Sequence, residues 1–181
     1  MHRIEAYVTL ALIFVATTTV LYLPVLFVLK KRGKSVIRQL GYLALFCSAF
    51  LIIFATILFS WPITFRPERY VLNLIPFQWL SEPDIKNQLI VEVVPNVWMF
   101  LPLGMFLPVV FKKMRRIYKT ALIVFFVTFS VEFFQYFIGR SSDIDDIIAN
   151  LSGGIIGYGI FRGFDRLFQR KNWWNKFLGG A

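Results

Sequence analysis

Apolar and polar positions along this chain separate into long blocks rather than short alternations. Five apolar runs, at about 7–29, 40–60, 89–111, 120–138 and 145–163, are divided by short polar or basic linkers. A run of about 20 apolar residues crosses the roughly 30 Å bilayer core as a helix rising about 1.5 Å per residue. The pattern therefore predicts an all-α fold, a polytopic membrane helix bundle of about five transmembrane helices. No internal repeat or low-complexity segment interrupts it.

The linkers set a direction. KKRGKSVIR, from Lys30 to Arg38, carries five Lys/Arg, and KKMRRIYK, from Lys112 to Lys119, carries five more. The positive-inside rule places both on the cytoplasmic side, with the N-terminus outside and the C-terminus cytoplasmic. Arg162, Arg166, Arg170, Lys171 and Lys176 near the end agree, and of the ten acids only Asp165 falls inside. The first run is too long for a signal-peptide core and lacks a basic leader and a small-residue cleavage site, so it reads as a retained span. Three units result: two N-terminal spans and the start of an outer loop (1–69), a core (70–163), and a basic aromatic cytoplasmic tail (164–181) suited to lying in the membrane interface.

Two segments break the regular pattern. The outer loop at about 61–88 contains NLIPFQWL, too apolar for a solvated loop and too short to span, which fits a re-entrant segment or aromatics resting at the headgroups. In the third span Pro95, Pro102 and Pro108, with Gly104, predict a break or a kink.

Composition narrows the chemistry. With 57% hydrophobic residues, a formal charge of +10 and a mean hydropathy of +0.65, this is not a soluble domain. The basic residues follow topology, so no nucleic-acid partner is implied. One cysteine, Cys47, and one histidine, His2, exclude an intramolecular disulfide, a Ser-His-Asp triad, a zinc helix of the HExxH type and a Cys/His metal cage.

What remains is carboxylates and amides near the outer face. Glu92 lies at the mouth of the third span, with Asn96 one turn further in. Glu132, the only charge in TALIVFFVTFSVEFFQYFIG, would lie roughly 9 Å below the outer turn. An acid at mid-membrane costs up to about 2.5–3.5 kcal/mol, and such residues face a bundle interior or a wet cavity. Gln135 shares its face. In GRSSDIDDIIANLSGGIIGYG, Asp143, Asp146 and Asn150 form one helical face continued by Gly153 and Gly157, while Asp145 points elsewhere. A tight turn centred near Ser141 would set Glu132 level with Asn150 and Gln135 near Ile147 and Asp146. Ala149, Gly153 and Gly157 form a small-xxx-small stripe for helix packing, and Gly159 with Gly163 repeats the spacing.

The aspartates admit two readings. Asp143 can N-cap the fifth helix with Asp145 and Asp146 in its first turn, where the helix dipole favours each by about 0.3–1 kcal/mol. Three acids beside Arg140 and opposite Glu132 exceed what capping requires, and point to an outer-facing ligand-binding or catalytic pocket. In that pocket Glu132 and Asp146 are the candidate catalytic proton carriers, and Arg140 would contact an anionic group. Asn73, Asn96, Gln135, Asp143, Asp145 and Asn150 complete the candidate substrate-binding set. No cofactor is identified; oxygen ligands at the acidic turn suit a divalent cation such as Mg²⁺ or Ca²⁺ without fixing a coordination shell.

Over about residues 70–160, through NLIPF (73–77), NVWMFLPLG (96–104) and above all EFFQYFIGRSSDIDDIIANLSGGIIGY (132–158), the chain resembles the VanZ-like membrane proteins, a family named for a teicoplanin-resistance protein. The resemblance implies a multi-pass protein of the bacterial cell membrane, with some members linked to reduced teicoplanin susceptibility and no settled biochemical activity. The expected function is a cell-envelope protein whose polar pocket engages a lipid-linked or glycan substrate. A non-catalytic membrane scaffold or binding protein, and a small ion or solute transporter, are the alternatives. Expected partners are membrane lipids, a lipid-linked envelope precursor and a second copy of the chain.

Overall fold

A computed structural model describes residues 2–56, 72–81, 83–138 and 141–179. The chain runs α1 (His2–Lys31), α2 (Val36–Thr56), β1 (Leu72–Asn73), α3 (Ile85–Gln88), α4 (Val94–Val110), α5 (Ile117–Phe137), β2 (Ser142–Asp143), α6 (Ile144–Phe168) and α7 (Asn172–Phe177). Five helical stretches are long and apolar enough to cross a membrane: Leu12–Lys31, Val36–Thr56, Ile85–Val110, Ile117–Phe137 and Ile144–Phe168. Each lies on one of the five apolar runs. Much of the loop at 61–88 falls outside the described residues.

The third stretch is continuous rather than broken. The short α3 passes through a π-helical turn, Leu89–Val93, into α4. Pro95 in the first turn of α4 cannot donate to the carbonyl four residues earlier, that of Val91, and the wider turn contains that residue. Pro102 and Pro108 remain inside the helix.

α4 is the centre of the bundle, packing on α2, α5 and α6. Phe100, Leu103 and Leu107 join Ile52 of α2 and Val124 and Val131 of α5 in the main apolar cluster. Against α6 the approach is backbone to backbone. A Cβ added at Gly153 would stand 2.2 Å from the Val97 carbonyl oxygen, one at Gly157 2.0 Å from that of Leu101, and one at Gly104 2.0 Å from that of Gly154. The small-residue stripe therefore serves α4, not the neighbouring hairpin partner α5, which meets α6 through Val124 beside Gly154. Gly159 and Gly163 face open space. α1 is peripheral, meeting α2 through a Phe14–Phe50 ring stack at 3.5 Å and a Tyr22 hydroxyl donating to Gln39 Oε1 at 3.0 Å. Leu12, Leu21 and Phe27 on its other sides are exposed, as suits lipid contact.

At the end opposite the acidic turn, two arginines join three elements. Arg38 donates to the carbonyls of Val109 (2.6 Å), Val110 (2.5 Å) and Phe177 (3.1 Å). Arg115 donates to those of Pro108 (3.2 Å) and Leu178 (2.8 Å). The last carbonyls of a helix lack intrahelical donors and carry the negative end of its dipole, so cations belong there. Burial pulls the Arg115 guanidinium below its usual range, and the nearby Asp165 carboxylate offsets part of that pull. The tail consequently turns back onto the bundle: Trp174 is 3% exposed, packs with Phe161, and donates its indole N–H to Asp165 at 3.0 Å. Trp173 beside it stays exposed.

Candidate functional site

The site begins with the cap of α6. Asp143, in extended backbone conformation, accepts the Asp145 N–H at 2.8 Å, as an N-cap aspartate does. Its other carboxylate oxygen accepts from Asn73 Nδ2 at 2.9 Å. The two residues are also partners in the short parallel β1–β2 ladder, where Leu72 pairs with Ser142 and Asn73 with Asp143.

Asp145 does point away from the Asp143–Asp146 face, and its target is main chain. It accepts the Phe77 N–H at 2.6 Å and the Gln78 N–H at 3.1 Å, one on each oxygen. Phe77 has φ 60°, a left-handed conformation unusual for a bulky residue. The Asp145 carboxylate thus holds the NLIPF loop in a backbone shape it would not choose alone. Asn73 Oδ1 accepts the Ile75 N–H at 3.1 Å and tightens the same loop.

Asp146 accepts from Asn96 Nδ2 at 2.5 Å, tying α6 to α4. Glu132, 3% exposed, accepts the Asp143 N–H at 3.0 Å. Asn150 is therefore not level with Glu132: it donates to Thr128 Oγ1 at 2.8 Å, one helical turn deeper on α5. Gln135 donates to the Thr56 carbonyl of α2 at 3.2 Å.

These contacts frame a pocket of about 370 Å³ at the acidic end, lined by Leu72, Asn73, Gln78, Trp79, Glu92, Val93, Ser141, Asp143, Asp145 and Asp146. Four of the residues expected to form a site line it: Asn73, Asp143, Asp145 and Asp146. Glu132 and Asn96 stand one contact behind, each bonded to a lining aspartate, while Gln135 and Asn150 lie in the bundle interior. Arg140 lies outside the described residues. Gln78 and Trp79 are additions; their signal was the apolar-aromatic NLIPFQWL segment, whose polar positions carried no helical period. Among the described residues, no three His, Cys, Asp or Glu side chains are grouped to hold a metal ion. Four carboxylates, those of Glu92, Asp143, Asp145 and Asp146, stand among the described residues of the wall.

The VanZ/LLP1 family model matches residues 40–169, most of the chain, from early α2 to the end of α6. The chain belongs to the VanZ/LLP1 family. The matched region contains every residue of the pocket and omits α1 and α7. The chain is 31% identical over 105 residues to Protein VanZ of Enterococcus faecium, an alignment covering 56% of this chain and 65% of that protein. It thus spans less than two thirds of the length of this curated relative. No solved structure matches the chain. Family and fold together make this a VanZ-like membrane protein.

Proposed function

We propose that this family member is a bacterial cell-membrane protein whose acidic pocket faces outward and engages a lipid-linked or glycan substrate, changing the envelope and with it teicoplanin susceptibility. The outward direction follows from the basic linkers at the opposite end. The single observation that carries the proposal is the pocket itself: Asp143, Asp145 and Asp146 are held by bonds to Asn73, the NLIPF backbone and Asn96, so their directions are set before any ligand arrives. Carboxylates and amides beside one indole suit the hydroxyls and apolar face of a sugar. Exposed Leu74, Ile75, Phe77 and Leu80 on the loop that forms one wall offer an apolar rim for a lipid tail.

Of the two candidate proton carriers, Asp146 lines the pocket and fits the role; Glu132 holds the backbone of Asp143 and acts as a positioning residue. The test is to express Asp146→Asn and Glu92→Gln variants in a teicoplanin-susceptible host, normalise for protein in the membrane, and measure susceptibility and envelope precursors. Loss of the wild-type effect is expected. Both variants behaving as wild type would overturn the pocket reading.

A second reading, a non-catalytic scaffold, is favoured by the fact that these aspartates all accept hydrogen bonds from their own chain. Asparagine keeps much of the capping ability and removes the charge, so tolerance of the Asn variants together with failure of Ala variants would select the scaffold.

A further inference from the structure

The buried polar residues that the pocket leaves out form a feature of their own. Along α5, Thr120, Val124, Thr128 and Glu132 recur every four residues and Gln135 follows, none more than 4% exposed. Asn150 of α6, 1% exposed, and the Thr56 carbonyl of α2 face this stripe.

Two acceptors on it, Gln135 Oε1 and Asn150 Oδ1, are fully buried and have no hydrogen-bond partner among the described residues. The amide nitrogens of the same side chains are engaged, by the Thr56 carbonyl and by Thr128. A buried acceptor left unsatisfied costs about 1–3 kcal/mol, and surrounding hydrocarbon offers no donor. Gln135 and Thr128 are seven positions apart, roughly 10 Å along the helix. That separation is too long for one ion's shell and suits a short file of water molecules, each needing two to four polar partners.

The two ends of the stripe differ. At the top, Glu132 contacts the backbone of Asp143, whose side chain lines the acidic pocket. Below Thr128, Gly154 presses on Val124 so closely that a Cβ there would lie 2.7 Å from both valine methyls. Thr120, beyond that seam, donates to the Met114 carbonyl at 2.6 Å and belongs to the basic end.

We propose that the α2–α5–α6 interface is a hydrated half-channel. Water, and protons with it, enters from the pocket end, is held by Gln135 Oε1 and Asn150 Oδ1, reaches Glu132, and stops at the Val124–Gly154 seam. The half-channel gives the intramembrane carboxylate exchange with one face of the membrane and not the other. It does not depend on what the pocket binds.

The experiment introduces single cysteines in a Cys47→Ser background of the full chain in lipid vesicles: Gln135→Cys and Thr128→Cys on the stripe, Val124→Cys below it, and Phe129→Cys on the lipid side. A small charged methanethiosulfonate reacts with thiolates, which require water. Labelling of the first two and not of the last two is expected; a folded Thr128→Cys variant that stays as unreactive as Phe129→Cys overturns the proposal. Because buried cysteines can disturb folding, the unsubstituted chain supplies an independent measurement. The Asn150 side-chain amide should exchange in D₂O while the backbone amides around Val124 stay protected. Equal protection of the two would also overturn it. Repeating the labelling in the Asp146→Asn background separates the half-channel from the pocket, since only the pocket reading requires that carboxylate.

Discussion

Replacing Gly157 by alanine tests the seam on which the bundle is built. The added Cβ would stand 2.0 Å from Leu101 O, 2.9 Å from Met105 N and 3.0 Å from Leu101 C, all backbone atoms that cannot rotate away. Ordinary contact begins near 3.4 Å, so α4 and α6 must part by about 1 Å or more, loosening the equally close approaches at Gly153 and Gly104. Overpacking of this kind costs about 1–3 kcal/mol. Alanine returns up to about 1 kcal/mol of helix propensity relative to glycine, leaving a net loss of up to about 2 kcal/mol. Gly159→Ala is the internal control, because it gains the same propensity and meets nothing within 4 Å. Denaturation of the two purified variants, followed by helical circular dichroism, should place Gly157→Ala below wild type and Gly159→Ala at or above it. Equal stability of the two variants would refute the claim that backbone contact at α4–α6 holds the fold.

Asp145→Asn leaves one good acceptor for two N–H groups, so hydrogen exchange at Phe77 and Gln78 should accelerate, corresponding to about 1–3 kcal/mol of lost local protection, while α6 stays protected. Phe77→Gly should move the loop the other way by relieving the positive φ, with protection equal to or above wild type in the same measurement. Thr128→Val removes the acceptor of the Asn150 amide and should cost about 1–3 kcal/mol in denaturation, whereas the double change Thr128→Val with Asn150→Leu should recover much of that loss. Arg115→Lys removes the fork that bridges Pro108 and Leu178; exposure of Trp174, read as a red-shifted fluorescence emission, and faster cleavage after Phe168 should follow.

Helix existence was legible because the bilayer demands long uninterrupted apolar runs, and every span emerged where such a run lies. The polar positions of the site were legible for the same reason: Glu132 and the aspartates stand out against hydrocarbon. Their partners were not. Spacing of three and four residues tells which side chains share a face, but not which face lies opposite, and a one-turn difference in the α5–α6 hairpin replaces Glu132 by Thr128 as the partner of Asn150. The glycine stripe was recognisable as a packing surface, yet its partner α4 is separated from α6 by the whole of α5. Asp145 bonds to the main chain of Phe77 and Gln78, and main-chain donors leave no mark in a sequence.

By itself, then, the amino-acid order determined which stretches are long and apolar enough to cross a membrane, which linkers are basic, and where the costly polar residues gather, since each of these is a local property of hydropathy and charge. Only the tertiary structure decided that the aspartates divide their work among a cap, a loop and α4, and that Glu132 sits behind the pocket while Gln135 and Asn150 sink into the bundle. Those assignments depend on helix register and on contacts between residues about 70 positions apart, such as Asn73 with Asp143. The energies of those contacts come from geometry that no stretch of the chain contains alone.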